Sequence, residues 1–235
     1  MRAYLLFGLL MVGLAGPARA QDGSGFVTEN KSLSINVFDQ NGKAFVNPAT
    51  EVTGSPFLAN DWKNGTVVAA SNRRYDSVKI RLNLFSQQVH FLNNSNLELA
   101  LDKGYIREIL LPDPKTGMPA RMDFQNGFPA VDEQGINNFY EVLVKGKISL
   151  LLSIRKIIAQ EKDEMSGEVR KEYKTYEDYY AYDGKTMQRI KKDKAFIENL
   201  LADKKDKVDT FITENKLKLR SFDEIQKVIE FYNAL

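Results

Sequence analysis

The amino-acid sequence predicts an α+β fold: a predominantly antiparallel β-meander, formed as a curved sheet or open barrel, with short C-terminal helices packed on it. Three observations point there. Residues 64–111 alternate apolar and polar side chains with the period of two that sends one face of a strand to a core and the other to water. Residues 139–192 repeat that pattern in hairpins. From residue 193 the apolar positions fall three and four apart, which is the period of a helix.

Within the first stretch, RYDSVKIRLNLF sets Val78, Ile80, Leu82 and Leu84 against Ser77, Lys79, Arg81 and Asn83. In QVHFL, Val89 and Phe91 flank His90, and in NLELALD, Leu97, Leu99 and Leu101 flank Glu98 and Ala100. Polar breaks at Ser86–Gln87, Asn93–Ser95 and Asp102–Gly104 predict the turns of one antiparallel meander. On this reading the leucines and valines face inward, a charge at Leu82 unfolds the protein, a charge at Asn83 is tolerated, and His90 stands on the outer face.

The chain opens with MRAYLLFGLLMVGLAGPARA, one positive charge at Arg2, an apolar run, then Gly16–Pro17 and the small residues Ala18 and Ala20. This is the pattern of a secretory signal peptide over residues 1–20, with cleavage before Gln21. The run is too short to span a bilayer, which needs about 20 apolar residues, so no transmembrane segment is expected after its removal. The expected location is exported, periplasmic or secreted. No cysteine stands at the cleavage point, which excludes lipoprotein attachment. The remaining chain is read as an antiparallel β domain over 21–192 and a short-helix segment over 193–235.

Loss of Arg2 and Arg19 takes the 33 basic residues to 31, against 31 acidic ones. A chain with balanced charge has no long-range field for nucleic acid, so that partner class is disfavoured. With no cysteine, disulfides, thiol catalysis and cysteine metal sites are excluded. Stability has to come from a packed core, for which about 215 residues suffice.

Upstream of the meander, SLSINVF places Leu33, Ile35 and Val37 in alternation before a hairpin turn at Asn41–Gly42. The segment 47–63 is rich in turn formers and ends at Trp62, the only tryptophan. A tryptophan beside a turn covers one end of a core or stacks on a sugar. Downstream, residues 112–138 carry Pro112, Pro114, Pro119 and Pro129 and read as a long connection with one strand at PARMDFQ. Long connections on a rigid sheet carry binding residues, which singles out Asp123, Phe124 and Phe128; the plainer role is to cover a sheet edge.

FYEVLVKGKISLLLSIRKII predicts two strands about Lys145–Gly146, the second buried on both faces because Leu151 joins Ile148, Leu150, Leu152 and Ile154. A turn at DEMSGE and a hairpin about Asp183–Gly184 follow. Tyr173, Tyr176, Tyr179, Tyr180 and Tyr182 crowd this hairpin. Alternation sends Tyr176, Tyr180 and Tyr182 to one face and Tyr173 and Tyr179 to the other, as a binding face or as cross-strand packing. Asp193 opens the first helix, Val208, Phe211 and Ile212 mark the second, and Ser221 to Glu224 fit a capping box. Behind it, Ile225, Val228, Ile229 and Tyr232 form one apolar stripe.

The chemistry on offer is sparse. His90 is the only histidine, and no G-x-S-x-G elbow, HExxH, P-loop or dinucleotide glycine pattern occurs. No cofactor and no metal is expected. Two carboxylates suffice for a glycoside hydrolase, and Asp61, Asp76, Asp123, Glu177 and Asp178 are the acids that spacing leaves open.

At GSPFLANDWKNGTV, YDSVKIRLNLF and the tail from Asp203 to Asn233, the chain resembles a group of uncharacterised exported proteins common in Bacteroidota. That resemblance implies a Gram-negative envelope location and carries no catalytic residue across. The function expected is that of an exported, non-catalytic envelope protein with a binding or structural role, its partner an envelope protein, a glycan or an apolar ligand. Two rivals are an open-barrel periplasmic carrier of an apolar ligand or lipoprotein, and a carbohydrate-active hydrolase using paired carboxylates. The candidate ligand-binding residues are Trp62, Asp123, Phe124, Phe128, Tyr176, Tyr180 and Tyr182.

Overall fold

A computed structural model describes residues 52–112, 121–162, 164–165 and 167–235, together with a strand pair at 37–38 and 44–45. The chain divides into two compact units, Met1–Ala49 and Thr50–Leu235. In the first, β1 (Val37–Phe38) pairs antiparallel with β2 (Ala44–Phe45), the hairpin expected about Asn41–Gly42. Residues 1–20, read above as a signal peptide, and Leu33 and Ile35 lie outside the described residues.

The second unit holds eleven strands in one open sheet among the described residues. They are β3 (Val52–Thr53), β4 (Lys63–Ala69), β5 (Arg74–Asn83), β6 (Gln88–Leu92), β7 (Glu98–Ala100), β8 (Ile106–Pro112), β9 (Arg121–Gln125), β10 (Tyr140–Val144), β11 (Ser149–Lys162), β12 (Val169–Tyr182) and β13 (Met187–Arg189). The helices are α1 (Lys194–Leu200), α2 (Lys205–Glu214) and α3 (Phe222–Asn233). Strands β4 to β7 form a meander, β8 returns to the other side of β4, and β8 to β13 form a second meander. The single meander expected over 64–111 is thus broken at β8. Apart from β3, which lies parallel on β12 at Lys171 and Glu172, all pairings in this sheet are antiparallel.

The turns have local chemical causes. Asn93 Oδ1 accepts from the Ser95 and Leu97 amides, and Asp183 Oδ1 from those of Lys185 and Thr186. Asn72, Gln87 and Asn96 take the positive φ that tight turns demand. The sheet curls far enough that the Leu84 carbonyl, at the end of β5, accepts from the Lys156 amide of β11 (3.1 Å). The segment 52–58 straps this region. It starts on β12 at Val52–Thr53, pairs with β5 through Phe57 and Asn83, and offers the Ser55 and Phe57 carbonyls to Lys156 Nζ at 2.8 and 2.7 Å.

The curled sheet wraps one apolar cluster, which includes Ile80, Leu82, Leu84, Val89, Ile109, Phe124, Leu152 and Ile154. Full burial of each such side chain stabilises by about 1.5–3 kcal/mol. The helices cover the rest of the same face: Ile225, Val228, Ile229 and Tyr232, the predicted stripe, pack with Val208, Ile212, Leu150 and Ala181. Ser221 Oγ caps α3 by accepting from the Glu224 amide, and Glu224 reaches back to the Arg220 and Lys218 amides. Leu151 points the other way, into a third cluster with Tyr140 and Tyr180, so β11 is buried on both faces as expected.

Two inward assignments are corrected. Leu97 and Leu99 are 60% and 44% exposed: β7 is a three-residue edge strand, and neither leucine joins a core cluster among the described residues. Asn83, assigned to water, is buried, and its Oδ1 accepts from the Phe85 and Ser86 amides to hold the β5–β6 turn.

Candidate functional site

The largest of three clefts described on the outer surface lies where β4 meets β5 and β8, with a volume of about 560 Å³. Its lining includes Trp62, Lys63, Thr66, Arg74, Asp76, Ser77 and Arg121. A β-bulge builds it. Gly65 pairs with Val78 and Val67 with Tyr75, so Thr66 alone opposes both Asp76 and Ser77. Ser77 adopts φ +58°, a strained value for a residue with a Cβ. The extra residue reverses the alternation of β5, and Asp76 meets the Thr66 side chain across the bulge.

There Thr66 Oγ1 donates to Asp76 Oδ1 at 2.6 Å, and Arg74 Nε donates to both Asp76 oxygens at 3.0 and 3.2 Å. The Thr66 hydroxyl, then the Arg74 guanidinium, hold the Asp76 carboxyl below its ordinary range, with Arg121 adding a weaker pull. Arg121 itself has no ion-pair partner among the described residues, and Lys63 has only Asp61, at 3.8 Å and largely in solvent. Gly65 is required beside the cleft: a Cβ there would come within 2.8 Å of Ile80 Cδ1 and 2.9 Å of the Leu110 carbonyl.

Trp62 belongs to none of the three core clusters, which corrects the plainer reading of it as a core lid. Its ring is held by the Arg81 guanidinium at 4.2 Å, and the same guanidinium lies 4.0 Å from the Phe57 ring. Arg81 donates to Glu98 Oε2 at 2.7 Å and to the Asn60 carbonyl at 3.2 Å. His90 Nδ1 sits 2.7 Å from Glu98 Oε1, and its ring meets Phe57 edge-on. His90 is therefore on the face opposite the core, as predicted, yet its side chain is only 12% exposed because Phe57 covers it. Burial favours the neutral form of Glu98, but the bonds from Arg81 and His90 outweigh it and lower the carboxyl's pKa.

Of the other candidates, Phe128, Tyr180 and Tyr182 come together, and Asp123, Phe124 and Tyr176 do not join them. Phe128 packs edge-on against Tyr140 and Tyr182, and Tyr140 against Tyr180, in ring contacts of 5.2–5.7 Å. The 126–139 connection thus covers the outer face of the sheet, and burial pushes the Tyr140 hydroxyl up to about 12. Phe124 is a core residue on the inner face. Asp123 lies on the outer face, two residues from Arg121; burial raises its pKa against the opposing bond from Gln125.

Beside Tyr180 is a smaller cleft of about 240 Å³, lined by Asp132, Gln134, Arg155, Asp178 and Arg189. Tyr176 flanks it, 5.3 Å from Arg155. Two of its three carboxylates are engaged, Asp178 by Arg155 at 3.3 Å and by Arg189, and Asp132 by the Tyr180 hydroxyl at 2.8 Å, while Glu133 is exposed at the rim. Asp132 and Asp178, tied in this way, are not free to exchange protons with a substrate, so the facing pair of free acids that paired-carboxylate chemistry needs is not supplied by them. Among the described residues no cluster of histidines or carboxylates could hold a metal ion.

Sequence reasoning missed Lys63, Thr66, Arg74, Arg81 and Arg121. The available signal was that Arg74 and Asp76, both charged, occupy positions that alternation from Val78 assigns to the core. No family model, curated protein or solved structure matches the chain.

Proposed function

We propose that this chain is an exported, non-catalytic binding protein whose ligand site is the outer-face cleft at Trp62 and Arg121. One observation carries the reading: an aromatic ring and a cation without an ion pair among the described residues share a cleft floored by paired strands. Sites of this kind, with a few polar groups on a rigid frame, suit recognition. Export rests on the pattern of residues 1–20, and an envelope or secreted location follows from it. The carrier reading has less support, because the inward faces of sheet and helices that would line its cavity are filled by two clusters of buried apolar side chains.

Two measurements test it. Mass spectrometry of the protein recovered from cell fractions should find a chain beginning at Gln21 outside the cytoplasm; a chain retaining Met1 in the cytoplasm sinks the export reading. Trp62 is the only tryptophan, so ligand entering the cleft should shift its emission. Candidate fractions of envelope glycans and proteins that bind the chain yet leave Trp62 emission unchanged would remove the cleft as the site.

A further inference from the structure

We infer that the ligand of this cleft is an acidic oligosaccharide, a step that rests on the cleft being the binding site. Four features narrow the chemistry. Arg74 is paired with Asp76, but Arg121 has no ion-pair partner among the described residues and Lys63 only a distant one, so the lining can receive a negative group. A guanidinium in that state suits a planar carboxylate or a sulfate.

The second feature is Trp62. Arg81, itself fixed by Glu98 and the Asn60 carbonyl, holds the ring in place, and an indole fixed in advance is a platform for the C–H face of a sugar. Third, Asn64, Thr66, Asp76 and Ser77 supply hydroxyl, amide and carboxylate groups along the same lining, the partners that sugar hydroxyls need. Fourth, the bulge keeps Ser77 at φ +58° although a glycine would adopt that value freely. Strain retained beside a cleft is a mark of a working site.

Other anions fit less well. Nucleic acid needs a track of cations and a net positive field, and the chain without residues 1–20 has 31 charges of each sign. Nucleotide phosphates are usually cradled by a helix N-terminus or a glycine-rich loop, and the cleft is lined from strands β4, β5, β8 and β9 and the residues beside them.

The test is titration of the mature chain, followed by Trp62 emission and by calorimetry. The probes are a galacturonate oligosaccharide, a chondroitin sulfate oligosaccharide, a neutral galactose oligosaccharide and inorganic sulfate. At least one acidic saccharide should bind tenfold or more tightly than the neutral one, and Arg121→Gln should weaken it roughly tenfold, the loss expected for one charge-assisted bond. Arg121 is exposed, so this variant should melt as the parent does, and Arg121→Lys should recover part of the affinity. Equal affinity for the neutral saccharide overturns the acidic assignment but leaves the cleft as the site. Saccharide binding unaltered in both Trp62→Phe and Arg121→Gln overturns the cleft itself. Silence with both acidic saccharides, or a response to sulfate alone, overturns the inference.

Discussion

The side chain of Asn233, near the end of α3, completes the backbone hydrogen bonding of Ile148 at the start of β11: Asn233 Oδ1 accepts from the Ile148 amide at 3.0 Å, and Nδ2 donates to its carbonyl at 2.8 Å. The carboxamide stands in for a missing strand partner and locks the last helix onto the sheet. It fits because residue 146 is glycine; a Cβ there would lie 2.4 Å from Asn233 Cγ. Removing the carboxamide leaves two backbone groups unpaired at a cost of about 1–3 kcal/mol each when buried. Asn233→Ala should therefore destabilise by about 2 kcal/mol in urea melts. Gly146→Ala should cost at least 1 kcal/mol alone, by about the scale of overpacking, and much less in the Asn233→Ala background. Additive losses would show that the two residues do not compete for one space.

The helix half of this contact was legible in the sequence. The stripe Ile225, Val228, Ile229, Tyr232 and the Ser221 cap are local signals, each set by residues within a few positions. So were the strands and the two-sided burial of β11. The site was not, because it depends on register. Alternation assigns Asp76 to the core until one bulge residue, Ser77, reverses the faces, and a bulge leaves no length signature in a single sequence. Trp62 is among the candidates, but the groups beside it come from β4, from its hairpin partner β5, and from β8 and β9, which the β8 return brings to the other side of β4.

Periodicity also reports which face a residue points to without saying what covers that face. Three substitutions separate the two. Leu82→Asp should abolish the folded state, since Leu82 is fully inside the sheet cluster. Asn83→Ala, on the opposite face, should still cost about 1–3 kcal/mol, because the Phe85 and Ser86 amides lose their acceptor. Leu99→Lys should stay within about 0.5 kcal/mol of the parent, as exposed positions do. Thermal melts in which Leu99→Lys is the more damaging of the last two would reverse the facing of β7.

Glu98 makes stability depend on acid. Burial opposes its charge, but the bonds from Arg81 and His90 prevail and set its folded pKa below the ordinary 4.5. The folded carboxyl thus binds its proton more weakly than the unfolded one. Its contribution is present in full above about pH 4.5 and is lost as pH falls through the lower folded value. The difference in melting temperature between parent and Glu98→Gln should be largest near neutrality and should shrink below pH 4.5. A difference that stays constant down to pH 3 would mean that the charge on Glu98 does no more than an amide.

Ser77 offers the sharpest link between the bulge and the cleft. A residue with a Cβ at φ +58° carries strain of about 1–3 kcal/mol, and glycine relieves it at the expense of a more disordered unfolded chain, worth about 0.4–1 kcal/mol. The net effect of Ser77→Gly should be a gain of about 1 kcal/mol, within a span of about 0–2.6 kcal/mol, in urea melts. Ser77→Val should lose stability instead, since a β-branched side chain tolerates positive φ least. If the strain is kept for the sake of the cleft, the stabilised Ser77→Gly chain should bind its ligand more weakly, having lost a hydroxyl and the stiffness that aims Asp76 at Thr66. Urea midpoints that fall for Ser77→Gly would show that the bulge is held by the serine side chain rather than endured by it.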